Sequence, residues 1–199
     1  LAGAFGAVRD VGRLAKIQAT LGSDGRILHM NDWNEIIFGE LDGRPSERIR
    51  QLESLFPKPQ IRAKAVINIR EELWKKLVHL STVASVTTLT RQALGTVNTT
   101  RDGPWLIETT LDAAARISAA EGYPMSPEYM AAYRATFASA GSAYKASMLR
   151  DMEKGNRAEG EHILGYMRDR AAVHGLDAPI FRIAAANVQV YEAGRRSGP

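Results

Sequence analysis

Three positions of the sequence carry side chains that could do acid–base or ligand-binding chemistry, and the first is Lys76. Counting about 100° per residue along a predicted helix places Lys76 at the border of an apolar stripe, whose centre consists of Leu73, Leu77, Leu80 and Ala84. A lysine at such a border usually extends its ammonium group into water. Partial burial would instead lower the pKa of the ammonium group and make it a better proton donor near neutral pH. Periodicity alone leaves both interpretations open.

The second position is Glu159, which we predict in the first turn of a helix, on the same face as Ile163 and Tyr166. A carboxylate in the first turn complements the helix dipole. It could also accept hydrogen bonds from hydroxyl or amide groups of a ligand. Glu153 and Glu161 are equally plausible acids, so the sequence around Glu159 does not single it out.

The third position is Ser147, which shares a helix face with Asp151 because the two residues are four apart. A serine inside a helix usually faces solvent or bonds to a carbonyl group of its own helix. It could equally bind a ligand that carries a carboxylate. Nothing local separates these two interpretations.

Helices are predicted to position these residues, because helical signals dominate the chain from about residue 68 onwards. One helix runs past Leu73 and is expected to end at Gly95, and another begins at Pro104 and stops before Gly122. A capping serine followed by proline predicts a further start at residues 126–128. The remaining predicted helices cover residues 147–153, 158–174 and 179–193.

Residues 1–67 have a mixed pattern instead. Residues 26–30 and 36–39 predict two short strands around a tight connection, and residues 22–25 form a turn cluster. A short helix is expected after residues 44–46, stopped by Pro57 and Pro59, and residues 61–69 could form one more strand. We therefore predict a mostly α fold, with an all-helical C-terminal domain preceded by a small α/β segment.

Composition and missing motifs narrow the classes of function. The 199 residues include no cysteine, which rules out disulfides and thiolate metal sites, and no apolar run long enough to span a membrane. The net charge of +4 comes from basic residues interleaved with acids, so no nucleic-acid surface is expected. The four histidines are far apart, which argues against a metal site. Glycine-rich nucleotide motifs and a G-x-S-x-G elbow are absent. The first residue is not methionine, and we expect a trimmed chain or a piece of a longer one.

The positions singled out above also lie inside a pattern of motifs. Residues 72–77 (E-L-W-K-K-L) resemble the L-W-x-K-L motif of the ketopantoate reductase (2-dehydropantoate 2-reductase) family. Residues 146–151 (A-S-M-L-R-D) and 156–159 (N-R-A-E) are similar to its S-S-M-x-x-D and R-x-T-E-x-D segments. Residues 25–29 and 38–40 resemble the last strands of the family's nucleotide-binding domain. The resemblance spans nearly the whole chain.

The resemblance implies the C-terminal portion of a two-domain, NADPH-dependent reductase. Residues 1–67 would be the truncated end of a nucleotide-binding Rossmann domain without its glycine-rich half, and residues 68–199 the helical domain. The reaction implied is reduction of a small 2-oxo acid to a 2-hydroxy acid in pantothenate biosynthesis. The family also implies a cytoplasmic homodimer that binds neither nucleic acid nor membrane.

The same resemblance assigns roles to individual residues. Lys76 would be the general acid, because a positioned ammonium group stabilises the charge that hydride transfer puts on the carbonyl oxygen and then gives up a proton. Glu159 would help to bind the nicotinamide cofactor, NADP(H). Ser147 would hydrogen-bond the substrate, supported by Asp151. The substrate-binding segment implied comprises Ser147, Met148, Leu149, Arg150 and Asp151.

The sequence departs from the family's pattern where the family has three substrate-binding asparagines. Leu80 and Ala84 stand four and eight residues after Lys76, and Leu94 stands just before Gly95. Losing three amide contacts should strongly disfavour a polar substrate. We therefore expect a less polar 2-oxo acid as the substrate.

Two classes of function make different predictions. A reductase requires Lys76, Ser147 and Glu159 to face one cleft. A helical interaction or dimerisation module without catalysis would leave the three groups scattered and solvated, and would expose an apolar patch. Because no phosphate-cradling loop is present, we expect residues 1–199 alone to bind NADPH poorly and to show no reductase activity.

Overall fold

The computed structural model describes residues 10–22, 24–56, 61–139 and 141–196. The chain divides into two compact units, Leu1–Leu73 and Trp74–Pro199. The prediction of a mostly α fold with an all-helical second part is confirmed.

The first unit contains a three-stranded sheet. Strand β1 (Gly12–Leu21) pairs antiparallel with β2 (Ile27–Gly39), and β3 (Arg62–Ala65) pairs parallel with β2. Of the turn predicted at residues 22–25, the described residues lie between β1 and β2: the amide of Gly25 donates to the carbonyl of Gly22 at 3.0 Å, and Gly25 has a φ of 81° that favours glycine.

Two strand predictions were wrong. The two short strands expected at residues 26–30 and 36–39 are one continuous strand of 13 residues, and β1 was not predicted at all. The Asn-Asp pair at residues 31–32 indicated a turn locally, but β2 continues through these residues, which lie between its paired residues His29 and Asn34. The register shifts between Ile17 and Ala19, which accommodates the irregularity as a β-bulge.

The rest of the first unit follows the predicted signals. Helix α1 (Glu47–Ser54) is capped by Ser46, whose hydroxyl accepts a hydrogen bond from the amide of Ile49 at 3.3 Å. The proline stops at residues 57 and 59 lie outside the described residues. Strand β3 covers only four residues of the predicted 61–69 stretch, because helix α2 already begins at Ile69.

The helical unit is built from helices joined by short connections. These are the later part of α2 (Ile69–Thr90), α3 (Leu94–Asn98), α4 (Gly103–Ala120), α5 (Pro127–Phe137), α6 (Ser147–Glu153), a π-helical turn (Glu161–Gly165), α7 (Tyr166–Val173) and α8 (Pro179–Arg196). The starts predicted from Pro104, Ser126-Pro127 and Pro179 are confirmed. None of the helices in the described part of the chain is long and apolar enough to cross a membrane.

Three of the predicted helices differ from the structure. Helix α2 ends at Thr90 rather than Gly95, because Arg91 adopts a φ of 57° and breaks the helical path. Gly95 then lies inside α3. The predicted 158–174 helix contains the π-helical turn, and α8 continues three residues beyond residue 193.

The buried face of α2 also differs from the predicted apolar stripe. Leu73, Leu77 and Leu80 are only half-buried, whereas residues 81–88 are buried all around the helix. This stretch carries five fully buried hydroxyl residues: Ser81, Thr82, Ser85, Thr87 and Thr88. Most of these hydroxyls donate to carbonyl groups of the preceding turn, which removes most of the cost of burying them. Leucine periodicity therefore misplaced the buried side of α2.

Candidate active site

The first half of α2 carries two adjacent lysines in different surroundings. The ammonium nitrogen of Lys75 lies 4.2 Å from the centre of the Tyr129 ring, and the carbonyl group of Lys75 accepts a hydrogen bond from the Tyr133 hydroxyl at 2.7 Å. Lys75 thus contributes to the contact between α2 and α5. Lys76, one residue on, points about 100° away around the helix.

Lys76 is half-buried. At about 100° per residue, it lies on the opposite side of α2 from Trp74 and Val78, which are buried. Leu80 is its neighbour one turn later and is half-buried as well. The side chain of Lys76 is thus partly withdrawn from water, on the side of α2 away from Trp74 and Val78. Its catalytic role stays a prediction.

An aromatic cluster forms the contact between α2, α5 and the chain before α6. The imidazole of His79 lies 5.4 Å from the ring of Tyr133, 5.1 Å from that of Phe137 and 5.8 Å from that of Tyr144, measured between ring centres. Its Nε2 atom is 2.6 Å from the Tyr144 hydroxyl. Burial lowers the pKa of His79 to about 4 and raises that of Tyr144. Sequence reasoning gave neither residue a role.

The segment of residues 142–147 leads into α6 and is held by main-chain contacts. The amide of Leu94 donates to the carbonyl of Tyr144 at 2.9 Å, and the amide of Gly95 donates to the carbonyl of Ser142 at 3.1 Å. The amide of Ala146 donates to the hydroxyl of Thr87 on α2 at 3.4 Å. These contacts place the start of α6 against α2 and α3.

The predicted substrate-binding residues on α6 divide by exposure. Ser147, the first residue of α6, is exposed, whereas Met148 and Leu149 belong to the buried interior. Arg150 and Asp151 are half-buried. Ser147 is therefore the residue of this segment best placed to meet a ligand, and Met148 and Leu149 serve to pack the helix.

Glu159 is exposed. It was predicted in the first turn of a helix, but in the structure it lies just before the π-helical turn. Glu192 of α8 holds the chain just before this turn, because its carboxylate accepts a hydrogen bond from the amide of Ala158 at 2.7 Å. That hydrogen bond helps to lower the pKa of Glu192. Glu159 is thus left at the surface.

A groove of about 240 Å³ lies between residues 157–162 and 188–196, and Glu159 lines it with Arg157, His162, Gln189 and Arg196. Neither Lys76 nor Ser147 is among the lining residues that the structure describes. The contacts described above connect α2, which carries Lys76, with the segment of residues 142–147 that leads to Ser147. That Glu159 faces the same cleft as these two residues stays a prediction.

The substituted asparagine positions are not equivalent in the structure. Ala84 and Leu94 are buried in the core of the helical unit, with 2% and 1% of their surface exposed. Leu80 is half-buried, on the same side of α2 as Lys76. Among the residues described, no group of three or more His, Cys, Asp and Glu side chains is arranged to hold a metal ion.

A known protein family matches the helical unit of this chain. Residues 68–192 match the family model described as "Ketopantoate reductase PanE/ApbA C terminal". The chain therefore belongs to the ketopantoate reductase C-terminal family. This membership does not favour the alternative of an interaction module without catalysis.

Individual relatives extend the likeness to nearly the whole chain. The chain is 33% identical to the "Uncharacterized oxidoreductase YkpB" of Bacillus subtilis over 192 residues, 96% of this chain and 63% of the relative. It is 25% identical to a 2-dehydropantoate 2-reductase of Archaeoglobus fulgidus over 92% of this chain and 61% of the relative. The structure of the 2-dehydropantoate 2-reductase of Methylococcus capsulatus superposes with a TM-score of 0.83 and 25% identity, covering 100% of this chain and 67% of that one. The chain thus spans less than two thirds of the length of these two curated relatives.

Proposed function

We propose that the complete protein carrying this chain is an NADPH-dependent reductase of a small 2-oxo acid, with Lys76 as its general acid. The observation that supports this most is the place of Lys76. It occupies the lysine position of the family's L-W-x-K-L motif, on a helix inside the matched region, and its side chain is half-buried. Lys75, the alternative, lies over the Tyr129 ring.

Reduction of a 2-oxo acid requires a proton donor beside the carbonyl oxygen of the substrate. Bound NADPH would supply the hydride. The ammonium group of Lys76 would stabilise the negative charge that develops on the substrate oxygen and then transfer a proton to it. A half-buried lysine suits this role, because electrostatic stabilisation is stronger where water is partly excluded.

Among the residues described, Glu159 offers a carboxylate that suits the nicotinamide end of the cofactor. Glu159 has an exposed carboxylate at the edge of a groove, and no hydrogen bond or ion pair engages it within the described chain. Such a carboxylate can accept hydrogen bonds from ribose hydroxyl or carboxamide groups. The sequence has no glycine-rich phosphate loop, which supports the expectation that residues 1–199 alone are inactive.

The substrate side of the proposal depends on Ser147 and Leu80. Ser147 is exposed at the start of α6 and can donate to a substrate carboxylate. Leu80 replaces the first of the family's asparagines, one turn after Lys76, so an aliphatic surface stands where an amide would meet a polar substrate. Ala84 and Leu94 are buried and act through packing. We therefore propose a 2-oxo acid less polar than ketopantoate.

The same proposal includes the domain organisation, oligomeric state and localisation that the family implies. Residues 1–67 would be the end of a nucleotide-binding domain, and residues 68–199 the helical domain that follows it. A homodimer in the cytoplasm is the proposed state of the complete protein.

Steady-state kinetics of Lys76→Ala in the complete protein, with NADPH and a series of 2-oxo acids, test the proposal. Loss of a general acid should lower kcat by about 10²- to 10⁴-fold. Lys75→Ala is the matched control, because it removes the adjacent ammonium group and should leave kcat nearly unchanged. If both substitutions lowered kcat equally, Lys76 would not be the general acid.

The choice of substrate has its own test. Leu80→Asn restores the family's amide and should raise kcat/KM for ketopantoate relative to that for an aliphatic 2-oxo acid. If the wild-type protein already uses ketopantoate as efficiently as any other 2-oxo acid, the argument for a less polar substrate fails.

A further inference from the structure

His79 and Tyr144 form a side-chain hydrogen bond between residues that are 65 positions apart. The imidazole Nε2 and the phenolic oxygen are 2.6 Å apart, and both side chains are partly buried in the aromatic cluster with Tyr133 and Phe137. A polar contact enclosed by rings is costly to lose, because water cannot readily replace the missing partner.

The hydrogen bond connects the two parts of the proposed site. His79 lies one turn after Lys76 on α2, and Tyr144 lies three residues before Ser147. Loss of the bond would therefore be felt at Ser147 through a very short stretch of chain.

Besides this hydrogen bond, the segment of residues 142–147 has stronger contacts with α3 than with α2. The amides of Leu94 and Gly95 hold it from α3. On α2, the hydrogen bond from the Ala146 amide to the Thr87 hydroxyl is long at 3.4 Å, beyond the usual range for a strong bond. The short contact between His79 and Tyr144 is the better restraint on this side.

We propose that His79 and Tyr144 are a positioning pair of the reductase, which holds Ser147 at a fixed place relative to the helix that carries Lys76. The proposal rests on the function proposed above. Neither residue needs to touch substrate, because the pair acts through Ser147 and the backbone beside it.

A double-mutant cycle in the complete protein tests the pair, with kcat and KM measured separately for the 2-oxo acid and for NADPH. Tyr144→Phe and His79→Leu should each lower kcat/KM for the 2-oxo acid by about 3- to 10-fold, the worth of one hydrogen bond. The loss should appear mainly in KM for the 2-oxo acid, with KM for NADPH unchanged. The double variant should be no worse than the more affected single variant. His79→Gln, which keeps a hydrogen-bonding group, should recover part of the loss.

Tyr133→Phe is the matched control. It removes a hydroxyl from the same aromatic cluster, and that hydroxyl donates a hydrogen bond to the carbonyl of Lys75 on α2. It should lower stability and leave kcat/KM within about twofold of wild type. Additive losses in the double variant, or a Tyr133→Phe effect as large as that of Tyr144→Phe, would overturn the pair.

The wild-type protein separates the two proposals. If it reduces no 2-oxo acid, the proposed function fails and the pair fails with it. If it is active and the Tyr144→Phe variant matches it in kcat and KM, the pair alone is wrong.

Discussion

Acidification should destabilise the helical unit through His79. Burial holds the pKa of this imidazole at about 4 in the folded chain, against an ordinary value of 6.5. Below pH 6.5 the unfolded chain binds a proton at this position that the folded chain does not yet bind. The stability is therefore complete above pH 6.5 and is lost as the pH falls through 4.

The size of the effect follows from the difference between the two pKa values. At 1.36 kcal/mol per pKa unit, the loss in the free energy of unfolding from this one group is about 3 kcal/mol between pH 7 and pH 4. That is a large part of the stability of a typical domain, which is about 5–15 kcal/mol.

Urea unfolding of residues 1–199 at pH 7, 6, 5 and 4, followed by tryptophan fluorescence, measures the effect. Trp74 is buried in the helical unit and reports on its unfolding. In His79→Gln the imidazole is absent, so the difference in unfolding free energy between wild type and this variant should shrink by about 3 kcal/mol from pH 7 to pH 4. Carboxylates titrate in both proteins and cancel from the difference.

His162 supplies the control, because its side chain is exposed. His162→Gln should change unfolding free energy by a similar small amount at each pH. If the wild-type and His79→Gln stabilities instead run parallel from pH 7 to pH 4, the imidazole is not withdrawn from water as described.

Two further predictions concern stability. A Cβ atom at Gly95 would lie 2.4 Å from the amide nitrogen and 2.5 Å from the carbonyl oxygen of Ser142, so Gly95→Ala should cost about 1–3 kcal/mol by thermal unfolding. Gly194→Ala, where nothing lies within 4 Å, should be neutral or stabilising; equal losses at the two glycines would contradict the close approach. In the first unit, the hydrogen bonds from Arg48 hold the pKa of Glu40 at about 2, so Arg48→Met should cost about 1 kcal/mol above pH 4.5. In urea unfolding, the loss of stability in Arg48→Met should disappear as the pH falls through 2. Arg50→Met breaks an exposed ion pair with Glu47 and should change the free energy of unfolding little at any pH.

Local signals in the sequence predicted the helix starts well. A serine before the first turn accepts a backbone amide at both Ser46 and Ser126, and proline follows Ser126 at the first helical position. These caps depend on residues within one turn of each other, so the sequence alone contains the information.

Features that depend on distant residues were not predicted. Strand β1 exists because it pairs with β2, and the π-helical turn lies where Gly160 approaches Val188 of α8 so closely that a Cβ atom would be 2.5 Å from it. The buried side of α2 was misplaced because serine and threonine count as polar in a periodicity, although hydrogen bonds within the helix satisfy most of them.

The candidate site shows the same division. Lys76, Ser147 and Glu159 could be found from motifs, each of which is short and continuous. The contact between His79 and Tyr144 joins separate parts of the chain, and a histidine one turn after a lysine carries no signal of its partner. Exposure at Ser147 and burial at Met148 likewise follow from packing and not from the motif that contains both.

The crowded middle of α2 has a mechanical consequence. From residue 81 to residue 88 the helix has no free side, so enlarging one side chain, as in Ser85→Leu, cannot be relieved by turning it toward solvent. The added volume would displace α2 or the helices packed against it. Because α2 is one continuous helix, a shift of its middle would also move the turn that carries Lys76. Substitutions in the middle of α2 would in this way change the position of the Lys76 amino group.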